Sequence, residues 1–384
     1  MPNRASSQLL SDPTPCQRQK VAVIGLGDTG VLVASRLAHA FQVVAFTTKP
    51  SLVSGQELGK RLTDLRWWRA HYNISLADYR GLDAVEIHHA RVDAVDTERQ
   101  RITATTLSGE SLATDYDLLV IASGTANGFW RNDDLRDASE VDNELEQDAS
   151  RIAKAGDIAI IGGGPCGVSV AANTKARYPE KAVRLFFSGQ EPLTGYHPKT
   201  RAKMAANLSS LSVACYPNHR AIIPEVATIT TSGQKEVQFE GGHTISADCV
   251  LWTTGNRRPH TDFLPQDLLD HEGFVRTRST LQVEGFDNVF AIGDVASTDP
   301  SRSSARNWAY RILVHNVKRV ANGRHANKYF KPPQHRWGSI IGPQDDGLTL
   351  YNQNGSQQRL ARWLVDKLLL PIVVRRFIYR GVRS

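Results

Sequence analysis

An α/β fold of two doubly wound parallel sheets is predicted by three observations. Two glycine-rich turns, Gly25-Leu26-Gly27-Asp28-Thr29-Gly30 and Gly162-Gly163-Gly164-Pro165-Cys166-Gly167, stand 137 residues apart in the 384-residue chain. Each follows a short β-type run, Val21-Ala22-Val23-Ile24 or Ile158-Ala159-Ile160-Ile161, and each opens a helix-type stretch, from Val31 or from Val168. Strand-end runs into small residues then recur at Ala122-Ser123-Gly124, Thr253-Thr254-Gly255 and Ile292-Gly293-Asp294. A strand–glycine turn–helix unit is the Rossmann-like solution for a dinucleotide: glycine allows the tight turn, close approach of backbone to the diphosphate, and close helix–strand packing. The diphosphate then rests on unpaired N–H groups at the positive end of the helix.

The elements follow in order. Residues 20–46 read strand, turn, helix, strand, and residues 62–80 read as irregular helix around Trp67, Trp68 and Tyr72. From Val85 to Leu119 the period falls to two, which is a β-meander ending in the buried run Leu118 to Ile121. Asp133 to Ala155 is an acidic connecting helix. The second unit repeats the plan, with strands at 158–161 and 183–187, a helix near 198–211, a hairpin around Gly241-Gly242 and a strand from Cys249. A helix is predicted from about Ser304 to Ala321, with Tyr310, Leu313, Val317 and Val320 on one face. Pro332-Pro333 sets off a C-terminal piece.

Bulk composition bounds the function classes. Charged residues at 22 % and apolar residues at 41 % describe a globular chain, and no run of 18 apolar residues offers a spanning helix. Met1 to Gln19 lacks the apolar segment of a secretory signal and reads as a disordered leader. The four cysteines form no C-x-x-C, and no histidine has metal-ligand spacing, so neither a metal nor a redox disulfide of neighbouring cysteines is expected. The net charge of +7 is concentrated in the tail: from Gln357 onward seven basic residues face Asp366 alone, which leaves +1 for the body. No nucleic-acid partner is therefore expected.

The ordered set of signals resembles the FAD-dependent pyridine nucleotide-disulfide oxidoreductase superfamily. It comprises the first glycine turn, Ala122-Ser123-Gly124 after a meander, the second glycine turn, Thr254-Gly255-Asn256-Arg257-Arg258-Pro259 and Gly293-Asp294. Within that superfamily the missing disulfide and the basic apolar tail resemble the branch of type II NADH dehydrogenases and apoptosis-inducing-factor-like quinone reductases. The resemblance implies an FAD domain at 20–150 and 256–330, an NAD(P) domain at 151–255 inserted in it, and an extension at 331–384 beyond the leader, 1–19. It implies FAD as cofactor and NADH or NADPH as co-substrate. It also implies hydride transfer to the flavin and electron delivery to a quinone or similar acceptor. A small redox protein as acceptor, or a slow-turnover flavin and NAD(P) sensor, are the alternatives.

Site residues follow from the matched positions. Gly25, Gly27, Asp28, Thr29 and Gly30 are expected at the FAD diphosphate, Ser123 and Gly124 beside the flavin, and Gly293 with Asp294 at the ribityl hydroxyls. The helix after Gly293-Asp294, around Ala305 and Arg306, is expected to aim its positive end at the flavin edge. Gly162, Gly164, Pro165, Cys166 and Gly167, with Gly255, are expected at the nicotinamide dinucleotide. Where an acid usually reads ribose hydroxyls, the first unit carries Thr47-Thr48-Lys49 and the second Ser188-Gly189-Gln190. Ser169 stands where many relatives carry a glutamate beside the nicotinamide. Between Ser51 and Leu62, Gln56, Glu57 and Lys60 occupy the place of the disulfide reductases' paired cysteines. Glu57 and Lys60 are either a surface i,i+3 ion pair or, with Arg306, a catalytic group near the flavin.

The tail reads as two helical pieces divided by Pro371, with Trp363, Phe377 and Tyr379 among Arg and Lys residues. Such a segment suits either an interfacial helix on an anionic membrane surface or a terminal pair packed on protein, including a second copy in a homodimer. The expected location is cytoplasmic, with a peripheral position on the inner face of the membrane if the tail binds lipid.

Overall fold

The computed structural model describes residues 18–126, 134–223, 229–230, 236–254, 258–300 and 308–383. In chain order the first unit holds β1 (Lys20–Ile24), α1 (Asp28–Leu37), β2 (Gln42–Thr47), β3 (Ser51–Val53), α2 (Leu58–Thr63), α3 (Leu65–Tyr72) and β4 (Asn73–Ser75). The meander follows as β5 (Val85–Asp96), β6 (Arg101–Thr106) and β7 (Ser111–Asp115), then β8 (Leu118–Ile121) and the short β9 (Thr125–Ala126). α4 (Ala138–Lys154) leads to β10 (Asp157–Ile161), α5 (Pro165–Arg177), β11 (Ala182–Phe186), α6 (Pro198–Ser210), β12 (Ala214–Tyr216) and β13 (Ile229–Thr230). Then come β14 (Glu236–Gln238), β15 (Thr244–Ser246), β16 (Cys249–Trp252), β17 (Arg258–Pro259), β18 (Val289–Ala291), α7 (Ala309–Ala321), β19 (Leu348–Tyr351) and β20 (Gln357–Leu360). The last helix, α8 (Arg362–Leu364), runs on as a wider π-type helix, Val365–Ile378.

The strands form two main sheets in the order β18-β8-β1-β2-β5-β6-β7 and β12-β11-β10-β16-β13. β18 returns to the first sheet and pairs in parallel with β8 after the second sheet is complete. The second doubly wound unit is thus inserted in the first. β5 joins the two parts of its sheet: through His89 it is parallel to β2, and from Ala90 it is antiparallel to β6, with a register shift between Val92 and Ala94. Apolar residues fill β1, β8 and β10 almost without interruption, because helices and loops cover both faces of each parallel sheet.

α2 crosses from one unit to the other. It belongs in sequence to the first, yet Leu58 and Leu62 are buried in the core of the second, among Ile158, Val168 and Leu185. Its Gly59 faces α5 so closely that an added Cβ would fall inside contact with the Ser169 carbonyl and the Asn173 amide. Beside this crossing Arg61 Nη2 lies 3.6 Å from Asp148 Oδ2 on α4, with the two side chains 3 % and 5 % exposed. The C-terminal extension joins the same two bodies. Ile340 and Tyr351 enter the second core, whereas Tyr379, Val374 and Ile378 pack on the first.

Two boundaries differ from the sequence reading. α7 starts at Ala309, after Trp308 at φ 61°, and residues 301–307 of its expected first turn lie outside the described residues. The tail continues through Pro371 instead of dividing there. The wider turn accommodates the ring and the missing N–H that would break an α-helix.

The buried ion pair yields a pH dependence. Burial pushes the Asp148 carboxyl up to about 6, against the opposing charges of Arg61 and Arg151. The folded state therefore holds this proton more tightly than the unfolded chain, whose carboxyl titrates near about 3.9. The contribution is complete below about pH 4 and is lost as pH rises through about 6, a change of ~2–3 kcal/mol. Urea melts of the native protein and Asp148→Asn should thus diverge by that amount between pH 4 and pH 7, the native chain losing ground as pH rises. Parallel pH profiles would contradict this account.

Candidate functional site

The two glycine turns have the same construction. Gly25 (φ +94°) donates its N–H to the Phe46 carbonyl at 2.8 Å, and Gly162 (φ +126°) donates to the Phe186 carbonyl at 2.8 Å. A Cβ at Gly25 would stand 2.5 Å from the Ala122 carbonyl oxygen, and one at Gly162 would stand 2.7 Å from the Thr253 carbonyl oxygen. The last glycines, Gly30 and Gly167, lie against the Gly25 and Gly162 carbonyls with no room for a side chain. The middle glycines are the opposite case. Gly27 and Gly164 face open space, and as helix N-caps they bring no side chain to the first-turn N–H groups. The open face left at each helix start fits a diphosphate at each turn.

Both turns open into one cavity of about 1090 Å³. On the first side it is lined by Gly25, Gly27, Asp28, Thr29, Thr47, Thr48 and Lys49, with Ser123, Gly124, Gly293 and Asp294. Gly293 (φ +88°) brings its turn to within 3.4 Å of the Thr29 hydroxyl, measured from an ideal Cβ, so the Gly-Asp turn adjoins the first glycine turn. The Ser123 hydroxyl donates to the His260 carbonyl at 2.7 Å. Thr47 turns inward, its hydroxyl donating to the Lys49 carbonyl at 3.1 Å. On the second side the lining includes Gly162, Gly164, Pro165, Cys166 and Ser188. Gly255, Ala305 and Arg306 lie outside the described residues.

Asp28 closes the first turn onto the next loop. Its carboxylate accepts from the Ser54 hydroxyl at 2.6 Å, the Gly55 N–H at 3.0 Å and the Gln56 amide at 3.3 Å. This places Gln56 and Glu57 on the cavity wall. Behind Asp28 stand Tyr79 and Tyr379, with ring centroids 5.3 Å apart. Burial first, then the nearby Asp28 charge, pushes both phenols well above their ordinary pKa. Tyr379 comes from the C-terminal tail, so the end of the chain supports the first turn.

Glu57 and Lys60 part company. Glu57, at φ 52°, lines the cavity with its carboxylate against Gly342 of the extension. Lys60 is no part of the lining. Burial holds its ammonium below the ordinary pKa, and Asp64, Asp345, Glu57 and Arg362 are the charges around it. Ser169 lines the cavity at its back, 4 % exposed beneath Gly59. Its hydroxyl oxygen lies 2.8 Å from where a Cβ on Gly59 would stand, so the two positions pack in close contact. Asn173 completes the contact, donating to the Ser169 and Ile341 carbonyls at 2.8 Å each.

Sequence reasoning missed two groups in the lining. His219 and Arg220 stand beside Ser188 because the loop after β12 pairs with the end of β11: the His219 N–H donates to the Phe187 carbonyl at 2.9 Å and the Asn218 N–H to the Gly189 carbonyl at 3.0 Å. Arg336 and Trp337 reach the cavity from the extension, where the Arg336 N–H donates to the Gly195 carbonyl at 2.9 Å. No local motif marks either group. Among the described residues no cluster suited to a metal occurs.

Residues 19–310 match the family model for pyridine nucleotide-disulphide oxidoreductases. Demethylphylloquinone reductase NdbB of Synechocystis is 30 % identical over 315 residues, covering 73 % of this chain and 72 % of that protein. Apoptosis-inducing factor homolog A of Dictyostelium discoideum is 24 % identical over 376 residues, covering 88 % and 86 %. Oxidoreductase ptaL of Pestalotiopsis fici is 29 % identical over 197 residues, and the match spans about half of each chain. In fold the chain is similar to the water-forming NADH oxidase from Lactobacillus brevis, with a TM-score of 0.63, 16 % identity and 86 % and 74 % coverage. The chain belongs to the pyridine nucleotide-disulphide oxidoreductase family, and its two dinucleotides are FAD and NADH or NADPH.

The paired glycines separate folding from binding. Gly167→Ala should destabilise the protein by ~3 kcal/mol or more, because its Cβ has no space. Gly164→Ala should melt within about 2 °C of the native protein, yet bind NADH and NADPH at least about tenfold more weakly, the methyl occupying the diphosphate face. Calorimetry and fluorescence titration check both, and an undiminished affinity in Gly164→Ala would contradict the assignment.

Proposed function

We propose that this family member is an FAD-dependent oxidoreductase that takes hydride from NADH or NADPH and passes electrons to a quinone-like acceptor. The observation that carries the reading is the single cavity shared by both glycine turns, with Gln56 and Glu57 on its wall. When bound, flavin and nicotinamide supply the hydride chemistry, and the protein supplies orientation and electrostatics. The N–H groups at the start of α1 and α5 hold the two diphosphates. Asp294 accepts from ribityl hydroxyls at the end of β18. Glu57, on the cavity wall with its carboxylate against Gly342, hands a proton to the acceptor. The name of the Synechocystis relative specifies a quinone reductase, which supports a quinone as acceptor here.

The tail supports delivery of a lipid-soluble acceptor. Its inner side docks on the protein: Arg36 donates to the Ile378 carbonyl at 2.8 Å, and Arg383 pairs with Asp83 at 2.7 Å. Its outer side leaves Trp363 63 %, Leu368 50 % and Phe377 66 % exposed, beside Lys367 and Arg376. An apolar row flanked by cations suits the surface of an anionic membrane. Among the described residues no helix is long and apolar enough to cross a membrane.

One anaerobic experiment tests the reading on the full-length, FAD-loaded protein. NADH or NADPH should bleach the yellow protein, and a quinone should restore its colour. Replacing Leu368, Ile372 and Phe377 by serine should leave reoxidation by a water-soluble quinone within about twofold, yet slow reoxidation by a quinone in anionic vesicles about tenfold or more. Colour that persists with both nicotinamides would sink the electron-transfer reading. Reoxidation by a small redox protein but by no quinone would replace the acceptor, and equal vesicle rates in the two proteins would remove the membrane role.

A further inference from the structure

On the side of the first sheet covered by α1 and α7 lies a second cavity, of about 480 Å³. Its lining is Arg36, His39, Arg311, His315, Lys318 and Arg380, with Val314 as the one apolar side chain. Three separate parts of the chain converge here: the end of α1, one face of α7 (positions 311, 315 and 318) and the last turn of the tail. No carboxylate lines the cavity, and among the described residues none forms an ion pair with any of the six.

Ordinary structural causes account for part of this cluster. Arg36 closes the end of α1, donating to the Leu32 carbonyl at 3.0 Å, and Lys318 lies in the last turn of α7, where a cation suits the helix dipole. They do not account for Arg311 or Arg380. Arg311 occupies the first turn of α7, the end at which the dipole disfavours a cation. Arg380 holds a left-handed backbone at φ 61°, a conformation that costs a non-glycine residue and persists only where the surroundings impose it. The guanidinium groups are also held in place by stacking: Arg36 Cζ is 4.4 Å above the Tyr310 ring and Arg311 Cζ is 4.2 Å above the Trp308 ring. Burial holds Arg36 below its ordinary pKa, and the charges of Arg380 and Arg311 push in the same direction. Like charges thus converge around one cavity at a cost, and that arrangement is relieved by an anion with several oxygens.

We propose that this cavity is a binding site for a phosphate-bearing anion, supplied either by the headgroup of an anionic lipid or by a free phosphate compound. The lipid source is favoured by the neighbourhood. Phe377, two-thirds exposed, precedes Arg380 by three residues, and Trp308 beneath Arg311 is 42 % exposed. An aromatic body with a cationic head is the pairing found at the level of lipid phosphates. The proposal does not rest on the electron-transfer reading, since none of the six residues lines the dinucleotide cavity.

The test uses full-length, FAD-loaded protein and a charge-matched control. Arg311→Glu with Lys318→Glu is compared with Arg99→Glu with Lys203→Glu, an equal charge change at exposed positions elsewhere. Co-sedimentation is measured with vesicles of phosphatidylcholine containing phosphatidic acid, and calorimetry with inorganic phosphate. The first variant should lose about tenfold or more in affinity for the acidic vesicles, while the control loses less than about threefold. Saturable binding of inorganic phosphate, abolished in the first variant alone, would support the site with a free phosphate compound as its source. Equal losses in the two variants would reduce the effect to the general field of a basic protein and overturn the proposal. So would undiminished binding of both probes by the first variant, provided its melting temperature matches that of the native protein.

Discussion

The close crossing of α2 over α5, at Gly59 and Ser169, is the constraint on which the rest of the structure depends. Each glycine turn belongs to its own strand–turn–helix unit on its own sheet. Only their relative placement makes one cavity of two sites. That placement is set where a helix of the first unit loses its side chain at Gly59 and meets a serine on the second. Leu58 and Leu62 bury the apolar side of the contact, and Arg61 with Asp148 closes it at the edge. Burying a charged pair gains little net stability, but leaving one partner alone is expensive, so the pair fixes the register of the crossing more than it strengthens it.

The extension secures the same geometry from outside. Ile341 and Gln344 bond to Asn173 beside the crossing, and Gly342 leaves room for the Glu57 carboxylate. Further on, Tyr379 reaches Asp28, whose carboxylate orders the loop that carries Gln56 and Glu57. The end of the chain is therefore coupled to both the first glycine turn and the loop expected beside the flavin. A basic tail that is an appendage in sequence is part of the site's support in three dimensions. Trp363, Leu368 and Phe377 on its outer side stay exposed.

Much of this was legible in the residues, for identifiable reasons. The glycine turns announce themselves because two steric demands, at the first and last glycines, and one open face for a ligand, at the middle glycine, fall within six residues. Gly293-Asp294 was legible as the last of an ordered set of strand-end signals, and β18 indeed ends there beside β8. Other features were not. Ser169 read as a departure from the family pattern, and only the packing against Gly59, 110 residues earlier in the chain, gives it a physical reason. His219, Arg220 and Arg336 reach the cavity by tertiary pairing and carry no local signal. Glu57 and Lys60, three residues apart, point to different surroundings because Glu57 takes a left-handed conformation that helical periodicity does not foresee.

If the Gly59–Ser169 contact sets the alignment of the two cofactor sites, widening it should slow hydride transfer and spare binding. The direct measurement is stopped-flow bleaching of the FAD-loaded Gly59→Val variant by NADPH and by NADH, in the absence of oxygen. The account predicts that the variant retains FAD and binds either nicotinamide within about threefold of the native affinity, yet is bleached about a hundredfold more slowly, the cost of a misplacement near 1 Å. A folded variant bleached at the native rate would contradict it.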